Sequence, residues 1–135
     1  MRPRSRGEIL TIHVPVLLIG GATASGKSDL AVRFAAHTGA IVVNADAQQL
    51  YRDLPILTAQ PGPDARRRAE HQLYGVLAPE AETSAGAWLA WLQPILVQAE
   101  ANRRPLCIVG GTGLYLKALL AGLAPVPPIP EPIRQ

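Results

Sequence analysis

An α/β fold built around a parallel sheet is predicted from two observations. Short apolar runs without polar alternation recur along the chain, and segments of helical periodicity alternate with them. Val16-Leu17-Leu18-Ile19, Ile41-Val42-Val43 and Leu106 to Val109 are such runs, and their composition suits strands buried on both faces. Each is followed by a glycine-rich or acidic turn. In sheets of this kind ligands bind beyond the carboxyl ends of the strands, so those turns should converge on one edge.

Taken in order, residues 1–13 are polar and basic and read as a loose leader. The first strand ends at Gly20-Gly21, and Leu30, Ala31, Phe34 and Ala35 then fall at helical spacing, with Gly39 as the stop. The second strand runs from Ile41 to Ala45 and ends at Asp46. Gln48 to Arg52 reads as a short helix or turn. Pro55 to Ala65, with three prolines and a glycine, reads as a loop. A charged helix is expected over Ala65 to Gln72 and a short third strand over Leu73 to Leu77. Thr83 or Ser84 can cap a helix whose apolar face is Trp88, Leu89, Trp91, Leu92, Ile95, Leu96 and Ala99. Pro94 should kink or split it. After the strand at Leu106 comes Gly110-Gly111-Thr112-Gly113, then a helix over Leu114 to Leu123. The reading is therefore one core over residues 14–123, followed by a proline-rich linker over 124–135.

Bulk properties narrow the class. The chain has 135 residues, 48% of them apolar, enough to fill a single core. A net charge of +3 permits an RNA partner without arguing for one. Arginines cluster at Arg2, Arg4 and Arg6, at Arg66-Arg67-Arg68 and at Arg103-Arg104, which suits solvated loops and helix ends. The single cysteine, Cys107, forms no internal disulfide and sits in an apolar run, as packing rather than as a nucleophile. A reducing, cytoplasmic setting fits, and Val14 to Ile19 is too short for a signal core or a membrane span.

The strongest motif is Gly21-Ala22-Thr23-Ala24-Ser25-Gly26-Lys27-Ser28, a phosphate-binding P-loop between a buried strand and an amphipathic helix. Its glycines let backbone N–H groups turn toward an anion, Lys27 adds positive charge, and the Ser28 hydroxyl can ligate Mg²⁺. Asp46, at a strand end facing that site, can accept a proton or position a metal through water; the competing reading is a turn aspartate that caps the next helix. Gly110-Gly111-Thr112-Gly113 is a second turn able to bring backbone and a hydroxyl close to a ligand. His71, Trp88 and Trp91 read as packing. No aspartate follows the Leu106–Val109 strand, which weakens a generic ATPase or kinase.

In order along the chain, the P-loop, Asn44-Ala45-Asp46 through Leu50-Tyr51-Arg52, Thr58-Ala59-Gln60-Pro61, His71-Gln72-Leu73, Ser84-Ala85-Gly86 and Val109-Gly110-Gly111-Thr112-Gly113-Leu114-Tyr115 resemble the tRNA dimethylallyltransferase family. The resemblance implies a P-loop NTPase-like three-layer fold. It implies transfer of a dimethylallyl group from dimethylallyl diphosphate to N6 of the adenosine beside the anticodon of tRNA. Under it, the P-loop (Gly21 to Ser28) holds the donor's diphosphate with Mg²⁺ on Ser28. Asp46 is the general base and Thr112 contacts the target nucleotide. Asp46, Ala47, Gln48, Gln49 and Arg134 touch the anticodon arm. The protein is expected to be a cytoplasmic monomer. Two positions depart from the family: Ala22 replaces a proline, and Ala47 replaces a serine that would place a hydroxyl near the site. Family members are longer, so a tRNA-gripping helical insertion and the last core strands are expected beyond Arg134, leaving the sheet incomplete at its C-terminal side. A non-catalytic diphosphate-binding remnant and another P-loop enzyme, such as a small-molecule kinase, are the alternatives.

Overall fold

A computed structural model of the chain describes residues 12–21, 26–52 and 60–123. Four strands, β1 (Val16–Gly20), β2 (Ile41–Asn44), β3 (Glu70–Gln72) and β4 (Leu106–Gly110), form one parallel sheet in the order β1-β4-β2-β3. Helices α1 (Lys27–Thr38), α2 (Pro63–Arg68), α3 (Ala85–Ala101) and α4 (Gly113–Leu123) connect or follow them.

Period-two side-chain alternation sorts the two central strands onto two cores. Ile41, Val43, Leu106 and Ile108 pack with Trp88, Leu92, Leu96 and Ala99 of α3 and Tyr115 and Leu119 of α4. Val42, Cys107 and Val109 face the other way, onto Ala31 and Ala35 of α1 and onto Tyr74. Both strands are buried at every position, as their unbroken apolar runs require. Helices thus cover both faces, the three-layer arrangement expected.

Four local expectations are corrected. The Val16 run is not buried on both faces: β1 pairs only with β4 among the described residues, and Val16 and Leu17 are each 37% exposed. The helix placed over Ala65 to Gln72 is α2, Pro63–Arg68, which starts on a proline whose missing N–H is not needed in a first turn. The third strand is Glu70–Gln72, not Leu73–Leu77. Leu73 has φ 65°, which ends the strand, and Leu77 makes only an isolated parallel bridge to Tyr51. Pro94 does not split α3. Pro94 and Ala90, whose carbonyl loses its helical donor, both lie on the exposed face, where water can serve that oxygen.

The remaining punctuation follows the sequence. Gly39 caps α1 with φ 76°, its N–H donating to Ala35 O. Ser84 caps α3, its Oγ accepting from Ala87 N at 3.1 Å. Gln48–Leu50 forms a single 3-10 turn. Residues 1–11 of the leader and the proline-rich tail lie outside the described residues; of the leader's last two, Ile12 packs against the core and His13 bonds to Glu100.

Candidate functional site

Because β4 lies between β1 and β2, the carboxyl ends of three adjacent strands carry the three singled-out turns. The P-loop follows β1, Asp46 follows β2, and Gly111-Thr112 follows β4. The described part of the P-loop is its two ends; Ala22, Thr23, Ala24 and Ser25 lie outside the described residues. Gly26, at φ 80°, is the N-cap of α1 and offers no side-chain cap to the first-turn N–H groups. Lys27 is only 9% exposed and its Nζ donates to Gly21 O at 2.9 Å, which closes the loop on itself. Ser28 is exposed at the same helix end.

Gly111 measures how closely the turns approach. A β-carbon there would meet Gly21 O at 3.3 Å, Lys27 Nζ at 3.4 Å and Asp46 Oδ2 at 3.7 Å. The ammonium from the first turn and the carboxylate from the second thus lie within 4 Å of one point on the third. Gly110 is tighter still, since a β-carbon would fall 2.2 Å from the carbonyl carbon of Ala45. Only glycine lets the β4 backbone lie against the end of β2.

Asp46 fits the turn reading of its sequence position and leaves its second oxygen toward Gly111. Oδ1 accepts from Gln48 N at 2.9 Å and caps the 3-10 turn, while Oδ2 is the oxygen that approaches Gly111. Thr112 locks the two loops together: its Oγ1 accepts from Ala47 N at 2.9 Å and its N–H donates to Ala45 O at 3.3 Å. Of the neighbouring residues, Gln48 is exposed. Gln49 is turned inward, its carbonyl accepting from Gly75 N and from Gln60 Nε2. Arg134 lies outside the described residues.

Sequence reasoning missed Asn44. It is fully buried, and its side chain bonds to both the N–H and the C=O of Asp46. The signal was present: a lone asparagine closes an otherwise apolar buried strand two residues before the acid, and a buried amide must find partners.

The side chains read as packing behave so. Cys107 is fully buried and burial pushes its thiol up to about 11, so it stays protonated near neutrality. His71 is half-buried, its Nδ1 lies 2.9 Å from Ala69 O, and burial holds it below its ordinary 6.5. A carbonyl can only accept, so Nδ1 carries the proton. Trp88 stacks on Tyr115 at 5.0 Å. A cleft of ≈ 380 Å³ runs from Ser28 and Asp29 past Val32 to His71 and Tyr74. It lies beside the meeting point of the turns, for neither Lys27, Asp46 nor Gly111 lines it. No group of three or more metal-ligating side chains occurs among the described residues, and no helix there is long and apolar enough to cross a membrane.

A parallel α/β sheet with a phosphate loop after its first strand, and an acid and a hydroxyl on neighbouring strand ends, defines a P-loop NTPase-like protein. A family model described as IPP transferase matches residues 49–135, and one described as isopentenyl transferase matches residues 14–71. The chain belongs to the IPP transferase family. It is 52% identical over 122 residues to a tRNA dimethylallyltransferase of Rhodospirillum centenum, covering 89% of this chain and 38% of that protein. It is 50% identical over 118 residues to one of Nitrobacter hamburgensis, covering 87% and 37%. The chain therefore spans under two fifths of the length of these relatives. Among solved structures, the full-length tRNA isopentenylpyrophosphate transferase of Bacillus halodurans superposes with a TM-score of 0.76 at 26% identity, over 89% of this chain and 40% of that one. A eukaryotic dimethylallyltransferase solved acting on tRNA gives 0.74 at 26% identity, over 78% and 26%.

Proposed function

We propose that this chain supplies the donor site and the general base for transfer of a dimethylallyl group from dimethylallyl diphosphate to N6 of the adenosine beside the anticodon of tRNA. The observation that carries the reading is the convergence of Lys27 and Asp46 on Gly111. A cation beside the leaving group and a base beside the nucleophile are what this displacement needs at one point.

The exocyclic amine of adenine is a weak nucleophile. As N6 attacks C1 of the donor, the C–O bond to diphosphate breaks and its electron pair leaves with the diphosphate. The N6 proton passes to Asp46 Oδ2, the oxygen not engaged with Gln48 N. Negative charge building on the diphosphate meets the first-turn amides of α1 and Lys27. A single serine hydroxyl, with no carboxylate cage among the described residues, fits Mg²⁺ in its usual phosphate-borne form, and Ser28 would hold it. Bound there, the ion would neutralise leaving-group charge. The target base must leave the anticodon stack to reach this edge. In this reading Gln48, which is exposed, contacts the RNA together with Asp46, Ala47, Gln49, Thr112 and Arg134. The protein acts as a cytoplasmic monomer in this reading.

The test is Asp46→Ala with saturating donor and an anticodon stem-loop. Loss of about 10²-fold or more in turnover, with donor binding retained, is expected. Unimpaired prenylation would remove Asp46 from the base role. Binding of diphosphate with no tRNA modification by the unaltered chain would favour a binding remnant instead.

A further inference from the structure

We infer that Asn44 is the positioning residue of the reaction, fixing the Asp46 carboxylate toward the transferred group; this rests on the reading of Asp46 as the base. Asn44 ends β2 and is 0% exposed. Its Oδ1 accepts the Asp46 N–H at 2.8 Å. Its Nδ2 donates at 2.9 Å to Asp46 O and at 2.9 Å to Leu73 O. One side chain therefore grips both polar groups of Asp46 and ties them to the segment after β3. Its own carbonyl is held by Trp88 Nε1 at 2.7 Å. The grip has a rigid anchor at each end: a buried indole in the α3 core, and Leu73, whose φ of 65° is a conformation a leucine keeps only when its surroundings impose it.

The geometry removes the freedom Asp46 would otherwise have. An acid just past a strand end can rotate about its own φ and ψ and swing its carboxylate away. With its N–H and C=O held by Asn44 and the next N–H held by Thr112 Oγ1, the residue is restrained at both of its peptide groups. Oδ1 is engaged by Gln48 N, so the orientation of Oδ2 is fixed before substrate arrives. The donor is held by a different strand's loop, so loss of Asn44 should slow the chemical step and leave donor affinity in place.

The first measurement is amide hydrogen exchange on the full chain without substrates. Asn44→Ala should speed exchange at Asp46 N–H by about tenfold or more while Val43 and Ile108 keep their protection. Unchanged protection at Asp46 overturns the inference. The second is prenyl transfer with dimethylallyl diphosphate and an anticodon stem-loop. Asn44→Ala should lower kcat by about tenfold or more with KM for the donor within about twofold, and should cost nothing further in an Asp46→Ala background. A full additional loss in that background, or a rise in KM at constant kcat, overturns it. An Asp46→Ala protein that is slow beside a fast Asn44→Ala protein defeats this inference alone; an Asp46→Ala protein as fast as the unaltered one defeats the base reading.

Discussion

At Gly110 the backbone of β4 lies so close to Ala45 that no side chain fits, whereas at Gly111 the obstacles are an oxygen and the end of a lysine. The two adjacent glycines therefore predict different outcomes. Gly110→Ala should destabilise the fold by about 1–3 kcal/mol or more, because backbone must move; a lowered denaturation midpoint measures it. Gly111→Ala should fold normally and instead crowd Lys27. Diphosphate affinity, measured by calorimetry, is expected to fall about tenfold, which is ~1.4 kcal/mol. Sequence could mark both as turn glycines but could not separate them, since the difference lies in what a distant strand places opposite each. Asp46 and Lys27 were legible because strand-end position and motif spacing are local. The local half of the Asn44 grip, on Asp46, also left a mark in the sequence; its tie to Leu73 did not, because that segment is far along the chain and only the sheet order brings it near.

Among elements, α3 shows a continuous helix carrying a proline. Ser84 offsets some of that cost by capping the first turn, so Ser84→Ala should lose about 1 kcal/mol. Pro94→Ala should gain stability, by up to ~3 kcal/mol, since it restores a hydrogen bond and relieves the ring's clash with the preceding turn. Thermal melts of the two variants should therefore move in opposite directions. β2 and β4 were readable because full burial imposes unbroken apolar runs. β3 was not: Glu70-His71-Gln72 is a polar tripeptide at the sheet edge, and the more strand-like Leu73–Leu77 is turned away by the left-handed backbone at Leu73. β1 looked central from its composition, yet among the described residues it is paired on one side only, because order within a sheet depends on which strands later return beside it.

Acid stability belongs to the whole molecule, since two groups on opposite sides of the sheet contribute with the same sign. Burial lowers His71 below 6.5 in the folded chain, so as pH falls past 6.5 the unfolded chain takes up a proton first and stability declines. Glu100 on α3 accepts from His13 N, His13 Nδ1 and Val14 N, and the His13 N–H leads in holding it below 4.5. Its contribution is intact above pH 4.5 and is lost as pH falls further toward its folded value. Urea midpoints should therefore decline in two stages on acidification. His71→Asn, which keeps a donor for Ala69 O, should abolish the first stage only, and Glu100→Gln the second only.

The interposed place of β4 carries a consequence for how the protein comes into being. β1 and β2 are made before β4, yet they do not pair with each other; the sheet joins them only through β4, the last of the four described strands. Until Leu106 to Gly110 leaves the ribosome, the loop that would hold an anion and the acid that would take a proton have no fixed distance between them. In the proposed reading the donor loop and the base are therefore brought to one point only when this pentapeptide joins them, and a chain halted before it would expose an apolar seam to chaperones.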